Sequence, residues 1–390
     1  MRSGSAVAGV VHEMRQNSMK NLENIRSLVP RGSERGNAAP RFVVACVAAG
    51  LALWGCATTQ TSPSPPRAEL VPQPTDALVA DEVVAIAYSG FREGQHPDRG
   101  SGAIYPSRDE ILEDLKLLSA HGFRLIRVYG LGEDVTRTLE LIRQHDLPIR
   151  VLLGAWLRAE VSSHETCAWV EAPVPQRELE ANRAANVEEI RRAIEIANAY
   201  PQVVVAVSVG NEALVTWNDH LVSIEAMARY LEVVRAEVEQ PVTTADNYLA
   251  WVEHADALAP RVDFALVHSY PVWEGRDIDE GLSYTVENLE MVRAALPDTP
   301  IAIGEAGWPD VAVEFGSRAS EAKQARYVRE LVELAYRLNL TTFLFEAFDE
   351  PWKGHSGNPN GAEKHWGLFT VDRQPKAVMK GPGLIDASTR

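Results

Sequence analysis

Val203-Val204-Val205-Ala206-Val207-Ser208-Val209-Gly210-Asn211-Glu212 is a run of β-branched and small residues that ends on two polar side chains. Valine is stiff at χ1 and fits a pleated strand. A run with so little polar alternation reads as a strand covered on both faces, as in a parallel sheet. Comparable runs span Val83 to Tyr88, Leu125 to Tyr129, Ile149 to Leu153, Val242 to Thr244, Phe264 to His268, Ile301 to Gly304 and Thr342 to Phe348. With Val203 to Val209 they make eight.

Between these runs the spacing predicts helices. Ser107-Arg108-Asp109-Glu110 is a capping box opening Ile111 to Ala120, and Gly122 follows as a stop. Further helices are expected over Glu133 to His145, Val187 to Ala199, Leu221 to Glu239, Leu249 to Leu258, Asp279 to Ala295 and Ser320 to Asn339. Eight alternating units predict an α/β fold, a (β/α)₈ TIM barrel forming a single catalytic domain over residues 78–390. The competing open, doubly wound sheet would carry Gly-x-Gly-x-x-Gly after its first strand, and this chain does not. In a barrel, the residues that stand just after each strand decide the chemistry.

The first 67 of the 390 residues carry eight Arg/Lys and three Glu, so that segment is near +5 while the remainder is near −21. An acidic domain repels polyphosphate, so nucleic acid is not an expected partner and a neutral polymer is allowed. Residues 1–56 read as a lead and export signal: Arg31, Arg35 and Arg41 precede an apolar stretch from Phe42 to Trp54. Thirteen apolar residues fall short of the roughly 20 that span a bilayer. Leu53-Trp54-Gly55-Cys56 resembles a lipoprotein processing site with Cys56 as the lipidated residue, and residues 57–77 form a Pro/Ser/Thr tether. The expectation is an exported, membrane-anchored lipoprotein in the periplasm or at the cell surface. Cys167 is then the one cysteine of the mature domain, which rules out an intramolecular disulfide there.

Strand four ends in Asn211-Glu212 and strand seven in Gly304-Glu305-Ala306-Gly307-Trp308-Pro309, which brings two carboxylates to opposite sides of one barrel mouth. A proton donor and a second carboxylate flanking one sugar bond are what two-carboxylate glycoside hydrolysis requires. Asn-Glu after strand four with Glu after strand seven resembles the large retaining glycosidase clan. The six residues from Gly304 to Pro309 are similar to the nucleophile motif of glycoside hydrolase family 17, the β-1,3-glucanases and β-1,3-glucanosyltransferases. Tyr88 after strand one, Arg127-Val128-Tyr129, Tyr270-Pro271, Phe348-Asp349-Glu350-Pro351-Trp352-Lys353 and Trp366-Gly367-Leu368-Phe369 agree in order, over about Val83 to Val378. The Asp-Glu-Pro-Trp-Lys segment departs from the form common in plant members and suits the bacterial branch.

This resemblance implies Glu212 as acid/base, Glu305 as nucleophile, Asn211 on a sugar 2-hydroxyl and Glu350 with Lys353 on the donor-side sugar, the substrate being β-glucan. Tyr88, Arg127, Tyr129, Tyr270 and Trp308 complete the expected substrate-binding set. Physically, Arg127 is a cation able to hold Glu305 ionised while Glu212 keeps its proton, and Tyr270 can donate to Glu305. Trp156, Trp217, Trp251, Trp273, Trp308 and Trp352 follow strands three to eight, and two or three of them are expected to stack on sugar rings. Residues 154–186 are expected to form an extra loop over the cleft. No cofactor or metal is expected: Gly-x-Ser-x-Gly, His-Glu-x-x-His and phosphate loops are missing from the sequence, and His268 is read as a rim hydrogen-bond partner.

Overall fold

Strands built from Val, Ile, Leu and Ala need cover on both faces, and this chain provides it by closing the sheet on itself. The computed structural model describes residues 66–98, 102–380 and 384–385; the export signal, Cys56 and residues 57–65 lie outside them. β1 (Val84–Ala87), β2 (Leu125–Val128), β3 (Arg150–Ala155), β4 (Val204–Asn211), β5 (Val242–Asn247), β6 (Ala265–His268), β7 (Ile301–Ala306) and β8 (Thr342–Leu344) pair in sequence order. All pairs are parallel and β8 closes onto β1. The fold is the expected (β/α)₈ barrel.

The outer wall comprises α1 (Arg108–Ala120), α2 (Glu133–Gln144), α3 (Gln176–Ala199), α4 (Ile224–Glu237), α5 (Tyr248–Glu253), α6 (Ala255–Leu258), α7 (Ile278–Ala295) and α8 (Glu321–Leu338). α1 begins on the predicted capping box, with Ser107 N donating to Glu110 Oε2 at 2.7 Å and Glu110 N to Ser107 Oγ at 3.3 Å. Gly122 follows with φ +93, a conformation that favours glycine. The barrel floor is one apolar cluster that includes Val79, Ala85, Leu125, Leu152, Ala206, Ala245, Leu266, Ala302 and Phe343.

Four details differ from the sequence reading. Helix α3 starts at Gln176, eleven residues before the expected Val187, because its first half buries little beyond Leu179 and so offers no apolar period to read. The expected fifth helix is two short ones, α5 and α6. Strand eight ends at Leu344: beyond it the backbone weaves between partners, Phe345 N bonding Ala306 O at 2.9 Å and Ala347 N bonding Ala87 O at 2.9 Å. Residues 66–77, expected as tether, lie on the barrel surface and are pinned to it at Gln73. Gln73 is buried, its Nε2 donating to Ile301 O at 2.8 Å and its Oε1 accepting from Ile301 N at 2.7 Å.

Candidate active site

Each strand delivers its side chains to one mouth through the period-2 alternation of extended chain. β4 runs to Asn211 and then turns sharply, with Gly210 at φ +79 and Glu212 itself at φ +46. A non-glycine residue in the left-handed region is uncommon, and such strain collects at functional sites. β7 carries Glu305, which pairs in register with His268 of β6. One carboxylate oxygen of Glu212, one of Glu305 and one ring nitrogen of His268 all lie within 4.8 Å of one another.

Glu305 is 5% exposed and held by three donors. Arg127 Nη1 and Tyr129 Oη donate to its Oε1, each at 2.9 Å, and Tyr270 Oη donates to its Oε2 at 2.6 Å. Charge-assisted bonds on both oxygens fix the plane of the carboxylate. Arg127 is itself buried and fully engaged at one end of its fork: Nη1 also reaches Gly304 O and His268 Nε2 at 2.9 Å, and Nη2 donates to Asn211 Oδ1 at 2.6 Å. The oxygen of Asn211 is therefore taken, which leaves its amide N–H groups for a ligand.

The same contacts define the tautomer of His268. Guanidinium cannot accept, so Nε2 of His268 holds the lone pair and Nδ1 the proton. That N–H points at Glu212 Oε1, 3.0 Å away, with Glu305 Oε2 at 3.6 Å. Glu212 Oε2 accepts from Asn218 Nδ2 at 3.1 Å. Burial pushes the Glu212 carboxyl up, but the bonds donated by His268 and Asn218, with a smaller pull from His220, bring it below the ordinary glutamate range. Against the expectation that Glu212 keeps its proton, the contacts at its two oxygens favour the ionised form. Donors aimed at its ionised form outweigh its burial.

The remaining expected residues divide. Glu350 is buried beneath the mouth and Lys353 lies 2.5 Å from its Oε2, with Ser89 and Trp352 donating to Oε1. Two expectations fail. Trp308 is fully buried, its ring packed on Tyr327 and its Nε1 donating to Arg318 O at 2.8 Å, so it shapes the wall behind Glu305 and meets no sugar. Tyr88 is buried with its hydroxyl turned toward Asp114 of α1, 3.4 Å away, not into the mouth. Among the tryptophans, Trp251 is also core, whereas Trp156 is 38% exposed and stacks near His220 at 4.6 Å between ring centroids. His220 Nε2 in turn bonds Asn211 O at 2.8 Å, which puts this aromatic pair beside Glu212.

Asn218, His220 and Glu346 were not legible in advance. The first two sit on the β4–α4 loop, whose path is fixed by the β3–α3 loop: Ser163 Oγ donates to Asn218 O at 2.6 Å, and Glu160 N to Leu221 O at 2.9 Å. Residues 156–175 thus brace the Glu212 loop from outside. A second acidic group, Asp310 and Asp349 with His365, has the spacing of a cation site, but the Lys376 ammonium already lies 2.9 and 2.7 Å from its two aspartates.

The BtgE/BtgC glycoside hydrolase domain family matches residues 85–367. A glucan 1,3-beta-glucosidase of Arthroderma benhamiae is 28% identical over 281 residues, 68% of this chain and 82% of that protein. Among solved structures, an endo-laminarinase from Formosa Hel1_33_131 superposes with a TM-score of 0.67 at 26% identity, over 78% of this chain and 87% of that one. A Rhizomucor miehei beta-1,3-glucanosyltransferase in complex with laminaritriose, an active-site mutant, superposes at 0.59 with 21% identity, over 78% and 97%. That last likeness is one of fold.

Proposed function

Since the chain belongs to the BtgE/BtgC glycoside hydrolase domain family, we propose that it is a retaining β-1,3-glucan hydrolase working by double displacement. The observation that carries this reading is the pair at the ends of β4 and β7, with carboxylate oxygens within 4.8 Å and the Glu305 carboxylate clamped by Arg127, Tyr129 and Tyr270. Retaining enzymes set their carboxyl groups about 5–5.5 Å apart, too close to admit a water between them and the sugar.

Glu305 attacks the anomeric carbon and forms a glycosyl ester while Glu212 gives its proton to the departing oxygen; Glu212 then takes a proton from the incoming hydroxyl as the ester is cleaved. A bound sugar favours the proton that the acid role needs: it covers the Glu212 carboxyl, 22% exposed without it, and raises the cost of its charge beside Glu305. Relatives named for β-1,3-glucan and laminarin support the substrate class.

A second reading, β-1,3-glucanosyl transfer, is favoured by the exposed Trp156. The acid/base must touch the leaving oxygen, so the aglycone lies on the Glu212 side, where Trp156 offers a platform for an acceptor sugar. A non-catalytic envelope glucan-binding lipoprotein is disfavoured by the three donors on Glu305, which a binder has no use for. Export and lipidation at Cys56, with membrane anchoring, stay part of the proposal on the strength of the basic lead, the apolar stretch and Leu53-Trp54-Gly55-Cys56. Affinity with bacterial members rests likewise on Asp349-Glu350-Pro351-Trp352-Lys353.

Incubation with laminari-oligosaccharides and product sizing tests the reading. Shorter products alone mean hydrolysis, longer products mean transfer, and binding without turnover overturns both. Glu305→Ala is expected to lower kcat by at least about 10⁴-fold while oligosaccharide still binds.

A further inference from the structure

Below the donor half of the cleft lies a group of charges that the two-glutamate chemistry leaves unused. Glu346 and Glu350, on the segment after β8, are 1% and 0% exposed. Lys353 Nζ lies 2.8 Å from Glu346 Oε2 and 2.5 Å from Glu350 Oε2, and 4.6 Å from the centre of the Phe345 ring. Trp352 Nε1 donates to Glu350 Oε1 at 2.9 Å, beside Ser89 Oγ. One ammonium therefore faces two buried carboxyl groups.

One oxygen is left over. Glu346 Oε1 meets no hydrogen-bond donor although it is sealed from solvent, whereas Glu350 Oε2 and Glu346 Oε2 both turn to the one Lys353 ammonium. A buried acceptor without a donor is costly, and a buried unpaired charge more so. The two carboxyl groups are within hydrogen-bonding reach of each other. One proton on Glu346, shared with Glu350, satisfies the orphan oxygen and leaves one charge for the one ammonium.

We infer that Glu346 is a positioning residue of the donor subsite: it keeps a proton that it shares with Glu350, so that Glu346, Glu350 and Lys353 together carry no net charge. The donor-side placement rests on the function proposed above; the shared proton does not. Burial and the Glu350 charge hold Glu346 well above the ordinary range, whereas for Glu350 the effect of burial is outweighed by Lys353, Glu346 and Ser89, which hold it below. The other titratable groups in the field are Glu363 from the turn before Trp366, which interacts with Lys353, and Tyr129 after β2, which feels Glu346 and donates to Glu305. Loss of the proton would put a second uncompensated anion next to that tyrosine and pull Lys353 off Glu350. With it, Glu350 and Lys353 stay fixed as acceptor and donor for the hydroxyls of an uncharged sugar.

Infrared difference spectra of the full-length protein at pH 7 test the proton directly. The carbonyl band of protonated carboxylic acids is expected to lose intensity in Glu346→Gln, and equally in Glu350→Gln, where the remaining Glu346 ionises against Lys353. A wild-type band in Glu346→Gln overturns the inference whether or not the protein cleaves glucan. Positioning is tested by kinetics on laminari-oligosaccharides: Glu346→Ala should raise KM about tenfold or more, with most of that loss recovered in Glu346→Gln, a neutral donor of the same shape. Equal damage in both variants sinks the positioning role. Band loss with no turnover by the wild type sinks the proposed reaction and leaves the shared proton standing.

Discussion

His268 ties together the two carboxylates that the chemistry separates. Its Nδ1–H stabilises ionised Glu212, so removing it raises the pH at which Glu212 gives up its proton. Because the acid role needs that proton, the alkaline limb of kcat/KM is expected to move to higher pH in His268→Ala, by about one unit for a bond to a charged group. A limb that stays in place, with activity merely scaled down, would reduce His268 to packing. Trp156 makes a separate prediction: Trp156→Ala should lower the ratio of longer to shorter products more than it lowers donor consumption, and an unchanged ratio would remove the acceptor platform. That Glu212 and Glu305 come together was legible in the sequence because barrel order assigns each strand end to the mouth, and the two needed only their positions after β4 and β7. Trp308 and Tyr88 were misread because position after a strand says which end of the barrel a residue occupies but not which way its side chain turns. Trp308 faces Tyr327 behind the sheet, and no sequence period distinguishes that from facing the cleft.

At the scale of elements, the motif glycines explain why two strand ends can be brought so close. A Cβ on Gly307 would sit 2.1 Å from the carbonyl oxygen of Phe345, and one on Gly367 would sit 2.2 Å from the amide of Asp349. The backbone leaving β7, the segment after β8 and the Trp366–Phe369 stretch thus touch main chain to main chain. Gly307→Ala is expected to cost about 3 kcal/mol in urea unfolding, with loss of activity following loss of fold. A midpoint unchanged from wild type would mean that the three segments can part freely. The sequence marked these glycines as motif letters, but the contact itself joins residues far apart in the chain. Helix α3 escaped notice for a related reason. Its polar first half is held by Asn186, whose side chain bonds the backbone of Arg158 at 2.7 and 2.9 Å, a polar pin with no hydrophobic signature.

For the whole molecule, the segment ahead of β1 acts as part of the barrel. Gln73 pairs with both backbone groups of Ile301, accepts from Arg293 Nη2 at 2.9 Å, and receives on its carbonyl a bond from Asn339 Nδ2 at 2.8 Å. Val79 then joins the apolar floor. Gln73→Ala strands the Ile301 amide and carbonyl and should cost about 2–4 kcal/mol in urea unfolding while leaving kcat/KM as it is; no loss of stability would show that water substitutes freely there. That role was hidden in the sequence because Pro72, Pro74 and their neighbours read as tether composition, whereas the bonds that recruit them come from the far end of the chain. The placement of this segment has a practical side. Arg67 and Ala68 lie against Glu287 and Glu290, in the later half of α7 and so toward the floor. Residue 66 is therefore a handle on the blind side of the enzyme: a resin or a probe attached at that residue leaves the mouth clear for polymer.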